Sequence, residues 1–450
     1  MNAQTVPAHL SEAPAEDRLA FAISELARQS PDRVAIVAGA GGDTRRVIDY
    51  ATLASSVGRL EADLDRVRPV GIVAKARRTE SLVAIAAACG RQHVPLAFLA
   101  EDSRDLVGAL HDWVAVDDAL AVVSEPSAPR REFDAVAAQV VVATSGTSGP
   151  PKLVDHSWDS LLAAARLAEQ WHGLGWILVY DATRWAGIQV WLQSILTGGR
   201  LVVPASRDPD TVLRAIVAEE AAVLPTTPTL LRRLLASGDR ELLQRTRLER
   251  ITLGGEAADG PLLAHARAAF PEAKISHVYA TTELGEVFRV SDGLPGFPAN
   301  WLGRSLPGGA RLATRRDGEL IVQLSRDTAD VATGDLVERR GDRYEFTGRR
   351  SDVIVVGGAK VQPRRVEEVL RGVAGIAEAR AYGMPSAITG ELVAAEIVLG
   401  EPAARSPEAI RADALAACRS GLEPHAVPRI LDIVKKIATN AAGKVPRRQA

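Results

Sequence analysis

Cysteine is almost absent. Only Cys89 and Cys418 occur among 450 residues, far apart and in alanine-rich surroundings. They cannot build a disulfide framework or a thiolate metal cluster, so a reduced, cytoplasmic setting is expected. Charge of one sign is also missing: 54 Lys+Arg face 56 Asp+Glu, a net of -2, with no global footprint for nucleic acid. The eight histidines show no HxxxH or HExxH spacing, which argues against zinc. Apolar runs such as 81–88 fall well short of the roughly 20 residues of a membrane helix. The first 30 residues carry Glu12, Glu16 and Asp17 without a basic start and apolar run, so no secretory signal is expected.

What remains is a chain of two or three units with 47% hydrophobic and 24% charged residues, ordinary for a globular protein. Helical periodicity predicts helices over 15–29, 50–64, 80–89 (closed by Gly90), 155–171, 209–219 and 228–237. Short apolar strands are expected at 34–37, 70–74, 94–99, 138–143, 176–179, 200–203 and 250–253. This alternation predicts α/β architecture with helices covering sheets. Prolines and glycines at 295–309 break the rhythm, and short strands at 319–322, 335–338 and 343–346 suggest a small antiparallel region. After Thr347-Gly348-Arg349 a compact α+β unit begins, ending in a basic tail. The expected domains are 1–348, a large layered platform, and 349–450, a smaller mobile lid.

The most informative loop follows the strand at 138–143. It reads Thr144-Ser145-Gly146-Thr147-Ser148-Gly149, then Lys152. Small hydroxyl residues and glycines let backbone N–H groups approach an anion closely, and lysine adds charge. A phosphate cradle and a flexible surface turn both fit this composition. A Walker loop does not, because Leu153 follows the lysine.

SGTSGPPK at 145–152 resembles the phosphate-loop signature of the adenylate-forming (AMP-binding) superfamily, which includes acyl-CoA synthetases, peptide-synthetase adenylation domains and luciferases. Further stations follow in the family's order. Gly254-Gly255-Glu256 resembles the segment bordering adenine and acid. Tyr279-Ala280-Thr281-Thr282-Glu283 resembles the Tyr-Gly-x-Thr-Glu motif with Ala280 in place of glycine. By that resemblance Tyr279 lines the adenine, Thr282 contacts the α-phosphate and Glu283 helps hold Mg²⁺. Thr333-Gly334-Asp335 resembles the ribose-binding TGD motif, and Arg349 the arginine that contacts ribose or phosphate. Gly357, Gly358 and Lys360 resemble the surface presented to a thiol after the lid turns. Lys444 resembles the catalytic lysine near the C-terminus, with Ile437 where the motif has proline and a spacer one residue longer. Ser351 at the hinge position and Arg365 before Glu367 are further departures.

The resemblance implies ATP-dependent conversion of a carboxylic acid to an acyl-adenylate with release of pyrophosphate. Transfer to a thiol follows, with CoA as favoured co-substrate over a carrier-protein phosphopantetheine. Lys444, Thr282 and Glu283 are the implied catalytic residues. Thr144–Gly149, Lys152, Gly255, Glu256, Tyr279, Asp335 and Arg349 join them around ATP. Asp181, Trp185, Gly254 and Ala280 are the implied acid pocket. Tyr180-Asp181-Ala182-Thr183-Arg184-Trp185 resembles the segment whose aspartate holds the ammonium of an amino acid. An aspartate bonded to its own loop fits equally well. Trp176, Trp185 and Trp191 could line an aromatic pocket or fill core, and Arg184 could face a second anionic group. A small or aryl acid is expected. An amino-acid adenylation enzyme loading a carrier protein and an amide ligase are the alternatives.

Overall fold

The computed structural model describes residues 13–100, 103, 106, 110, 113–123, 139–144, 152–165, 167–236, 239–324, 330–400 and 405–438. Among these residues the strands form four sheets. The largest has eight strands. Val34–Ala40, Arg200–Pro204, Gly175–Ile177, Val223–Thr226, Arg250–Leu253 and Lys274–Thr281 run parallel through its middle. Arg46–Asp49 and Gly285–Val290 close its edges antiparallel. In the six-stranded second sheet, Val114–Val116, Ile72–Ala74, Leu96–Phe98 and Val140–Ala143 are parallel, with antiparallel strands at both edges. Strands buried on both faces read as continuous apolar runs, which is why these short segments were legible.

Helices Arg18–Gln29, Tyr50–Val67, Thr79–Arg91 and Trp185–Leu196 share one hydrophobic core with strands of both sheets. The other face of the eight-stranded sheet packs on Pro209–Ala218, Pro228–Ala236 and Gly260–Ala269. Asp49 caps the Tyr50–Val67 helix by accepting from Thr52 N at 2.7 Å. Its Leu53, Val57, Leu60 and Leu64 form one buried stripe.

A five-stranded antiparallel sheet (Phe297–Pro298, Arg343–Arg349, Val331–Arg340, Glu319–Gln323, Arg311–Thr314) carries its own aromatic core. The C-terminal unit folds an antiparallel sheet with Ile430–Ile433 added parallel to Gly390–Leu399, under helices Pro363–Arg371 and Pro407–Gly421. The molecule is thus a large layered α/β domain with a small antiparallel region and a smaller α+β domain, the architecture expected. Both cysteines are buried and unpaired, and no described helix is long and apolar enough to cross a membrane.

Two local expectations fail. The helix expected over 155–171 is cut short: Leu153–His156 is a strand paired antiparallel with Val140–Ala143, and a separate helix spans Trp158–Ala164. Gly90 does not end its helix, which continues to Arg91. A Cβ at Gly90 would collide with the Glu16 carbonyl oxygen, so the glycine permits close packing. The left-handed turn falls at His93 instead.

Candidate active site

Two cavities meet at the end of the parallel strands. The first, of about 490 Å³, lies between the large domain and the C-terminal domain. Gly255, Glu256, Tyr279, Asp335 and Arg349 line it on one side, and Arg364, Glu367, Glu368 and Arg371 on the other. The second, of about 390 Å³, is lined by Thr144, Lys152, Asp181, Trp185, Gly254, Ala280, Thr282 and Glu283. Gly255, Val278, Ala280 and Arg349 border both, so the two cavities adjoin.

In the first cavity the Lys274–Thr281 strand delivers Tyr279, whose ring stacks between Phe288 and Phe346 with centroids 5.2 Å from each. Its hydroxyl donates to Asp335 Oδ2 at 2.7 Å, and Arg349 Nε donates to Asp335 Oδ1 at 2.8 Å. Burial, then the Asp335 carboxylate, pushes the Tyr279 phenol upward, so it stays a donor. The Thr333–Asp335 turn is itself held: Gly334 N donates to Glu319 Oε1 at 3.0 Å, and Asp335 N to Thr333 Oγ1 at 3.1 Å. Neighbouring strands thus fix Asp335, and an Arg–carboxylate–tyrosine chain orients both its oxygens.

Glu256 has a second task. Its Oε2 accepts from Thr229 N at 3.1 Å and Thr229 Oγ1 at 2.6 Å, holding the first turn of the Pro228–Ala236 helix.

At the second cavity, Thr144 N donates to Lys152 O at 2.8 Å and Lys152 N to Thr144 Oγ1 at 3.0 Å. These bonds pin together the two ends of the glycine-rich connection. Ser145, Gly146, Thr147, Ser148 and Gly149 lie outside the described residues, as does Lys444. Glu283 is exposed at the cavity and Thr282 precedes it. His156 packs at a tilt against Trp185 with ring centroids 4.5 Å apart, and burial holds its imidazole below the ordinary value. Glu283 is an exposed carboxylate at this cavity, and Mg²⁺ takes one or two protein carboxylates along with substrate phosphates, so the residue fits that ion. No cluster of three metal-ligating side chains occurs among the described residues.

Asp181 is engaged locally: its Oδ1 accepts from Thr183 N at 2.9 Å and Thr183 Oγ1 at 2.6 Å. Arg184 Nη1 donates to Ala143 O at 3.0 Å, bracing the strand that enters the glycine-rich loop. The three tryptophans divide. Trp176 and Trp185 line the cavity, whereas Trp191 is core against Phe98 and donates to Ala182 O at 3.0 Å. Trp171, which the sequence reading passed over, joins Trp176 at 5.1 Å.

Gly357 and Gly358 are exposed in the hairpin that joins Ile354–Val356 to Ala359–Val361, and with Lys360 they line neither cavity. The C-terminal domain instead faces the site with its Pro363–Arg371 helix, where Arg364 Nη1 donates to Ala257 O at 3.2 Å. Ser351 and Arg365 are exposed. Glu367 is buried, accepting from Ala381 N at 2.9 Å, a structural task within the C-terminal domain.

Besides Trp171, sequence reasoning missed Gly187 and Arg233. Gly187, in the first turn of Trp185–Leu196, packs so tightly on the Asp181 carbonyl that a Cβ would overlap it. Arg233 ties the two domains together. Neither stands in a motif. The glycine spaced six residues after Asp181 was the only available signal.

Solved structures with the same fold include the anthranilate CoA ligase AuaEII in complex with anthranoyl-AMP (16% identity, TM-score 0.72, covering 97% of each chain). The amide bond synthetase McbA from Marinactinospora thermotolerans is similar at 23% identity, TM-score 0.71, over 96% of this chain and 98% of that one. Among curated proteins, a medium/long-chain-fatty-acid–[acyl-carrier-protein] ligase of Mycobacterium tuberculosis is 27% identical over 360 residues, 68% of this chain. The match spans 65% of that relative's length. A 2-succinylbenzoate–CoA ligase of Geobacillus kaustophilus is 27% identical over 346 residues, 69% of this chain and 68% of its own. The family profile described as AMP-binding enzyme matches residues 54–320, and the AMP-binding enzyme C-terminal domain matches 365–444. With more than half the chain matched, and Thr144, Lys152, Tyr279, Thr282, Glu283, Asp335 and Arg349 lining two adjoining cavities, the chain belongs to the AMP-binding, adenylate-forming enzyme superfamily.

Proposed function

We propose that this enzyme activates a small or aromatic carboxylic acid with ATP and passes the acyl group to a thiol, CoA being favoured. The observation that carries the reading is the junction of the two cavities. The Tyr279–Asp335–Arg349 chain stands on one side, the aromatic-walled pocket on the other, and Thr144, Lys152, Thr282 and Glu283 on the pocket side of the junction.

In the first step a carboxylate oxygen attacks the α-phosphorus. The bond from that phosphorus to the β-bridging oxygen breaks, and pyrophosphate leaves with the electron pair. The nucleophile is already an anion, so no general base is needed. The protein's work is to bring two anions together and to offset the charge that builds up. Lys152, Thr144, Thr282 and Lys444 are assigned to that work, with Asp335 and Arg349 on the ribose. Glu283 would hold Mg²⁺, which would supply charge neutralisation for the phosphates.

In the second step a thiol sulfur attacks the acyl carbon, the bond to AMP breaks, and the thiol proton passes to solvent. For that step we assign the 357–360 hairpin to the acceptor side after the domain at 349–450 turns against 1–348.

The similarity to an amide bond synthetase of the same fold keeps an amine acceptor as the second reading. Acid-dependent ATP–pyrophosphate exchange tests the first step, followed by thioester formation with CoA and amide formation with simple amines. Exchange with carboxylic acids and thioester with CoA are expected. Exchange confined to amino acids would overturn the reading.

A further inference from the structure

We infer that Arg233 is a positioning residue for the first step. It holds the C-terminal domain, and through Ile437 the segment that leads to Lys444, in the arrangement that adenylate formation requires. This rests on the acid-activation reading above and on the turn of the 349–450 domain assigned there.

Arg233 stands on the Pro228–Ala236 helix, which is a firm post. Leu231 and Leu234 of that helix are buried in the large-domain core. Its first turn is tied down by Leu230 N, which donates to Thr227 Oγ1 at 3.1 Å. Thr229 N and Oγ1 donate to Glu256 Oε2 at 3.1 and 2.6 Å. Glu256 lines the first cavity, so a wall of the site and the post share one carboxylate. The adjacent Arg232 turns to Asp259 of its own domain at 2.6 Å. Arg233 crosses to the other domain instead. Its Nε and Nη2 donate to the Glu378 carboxylate at 2.8 and 3.0 Å, and Nη2 also donates to Ile437 O at 2.9 Å.

These three bonds grip two separate parts of the C-terminal domain: the Ile376–Ser386 strand and the chain running on toward Lys444. The Arg233 and Glu378 side chains are 13% and 14% exposed and Ile437 is buried, so water competes weakly for the contact. One planar guanidinium serves a carboxylate and a carbonyl at once, a task that its fixed fork of donors suits better than a lysine ammonium. The two domains keep separate hydrophobic cores, and docking through polar contacts leaves one free to turn on the other. Lys444 lies seven residues beyond Ile437. A shift of the anchored carbonyl is carried along that segment, and a misplacement of about 1 Å can cost about 100-fold in rate. In the turn, Glu378 and Ile437 leave with their domain while Arg233 stays. The three bonds therefore stabilise the first arrangement and not the second.

The test starts from synthetic benzoyl-adenylate and butyryl-adenylate and follows two fates on one preparation of the full chain. One is ATP formation with pyrophosphate, the first step in reverse: pyrophosphate attacks the α-phosphorus and the carboxylate leaves. The other is acyl transfer to CoA and to simple amines. We expect the ratio of the first rate to the second to fall about ten-fold or more in Arg233→Met, within the range that misplacement produces. Transfer itself should stay near its starting rate. Glu378→Gln leaves the bond to Ile437 in place and should lower the ratio less. Misfolded protein lowers both rates together, so the ratio reads positioning even in a destabilised variant. An unchanged ratio in Arg233→Met would overturn the inference, as would an equal fall in Glu378→Gln, since the bond to Ile437 would then carry nothing. An unaltered enzyme that makes ATP from neither adenylate would instead sink the acid-activation reading.

Discussion

Arg233 of the large domain and Glu378 of the C-terminal domain form a two-bond ion pair, with Nε to Oε1 at 2.8 Å and Nη2 to Oε2 at 3.0 Å. The same Nη2 donates to the carbonyl of Ile437 at 2.9 Å. One guanidinium thus holds both the Ile376–Ser386 strand and the segment leading toward Lys444. Ile437, which replaces the motif proline, is buried here. Both side chains of the pair are mostly buried, so breaking it leaves an uncompensated charge. Arg233→Met and Glu378→Gln should each destabilise the full chain, and a double-mutant cycle should give a coupling of about 0.5–3 kcal/mol by equilibrium denaturation. Additive effects would mean the contact contributes nothing to domain docking.

Asp335 is oriented from both sides, by Tyr279 and by Arg349. Tyr279→Phe removes one orienting bond and should raise KM for ATP by about three- to ten-fold. Asp335→Ala removes a charged acceptor and should cost roughly 10- to 100-fold in kcat/KM for ATP. Exchange rates measured across ATP concentration check both, and unchanged ATP dependence in Asp335→Ala would remove it from the nucleotide site.

Gly187 lets the Trp185–Leu196 helix seat against the Asp181 carbonyl. Gly187→Ala should push the 181–184 loop outward, lowering stability by about 1–3 kcal/mol. Because that loop borders the acid pocket, KM for the acid should rise while KM for ATP stays near its starting value. Thermal unfolding and exchange kinetics on the same preparation separate the two effects.

Two buried histidines make the fold acid-sensitive. Burial holds both His156 and His277 below their ordinary value of 6.5. Above that pH both the folded and unfolded chains carry them neutral, and they contribute nothing. As pH falls below about 6.5 the unfolded chain binds protons that the folded chain resists, so stability declines with acid. Denaturation midpoints from pH 8 to 5 should fall, and the slope should be shallower in His277→Gln. A slope unchanged by that substitution would assign the sensitivity elsewhere.

Lys444 is assigned to the first partial reaction only. Lys444→Ala should reduce adenylate formation by about 100-fold or more, the scale of losing one electrostatic stabiliser. Transfer from a preformed acyl-adenylate should persist. Single-turnover measurements of each half separate them, and equal loss in both would end the assignment.

Motif order by itself determined the family, the layered α/β platform with a smaller α+β domain, and the motif residues that line the two cavities, though not most of their walls. Those features are written locally: a strand enters a glycine-rich loop, apolar runs mark buried parallel strands, and hydroxyl, acid and amide types recur at fixed spacing. Tertiary structure decided what depends on distant partners. Leu153–His156 became an edge strand because Val140–Ala143 offered it a ladder, and Gly90 stayed helical because Glu16 packs against it. Trp176 and Trp191 look alike in sequence, yet one borders the pocket and the other fills core. Asp181 lines the pocket as expected, and only the fold showed that Thr183 orients it through Oδ1. Arg233 and Glu378 lie 145 positions apart, and no local pattern announces their pairing. Local periodicity specifies which face of an element is apolar. Which element meets that face is fixed only when the whole chain closes its cores.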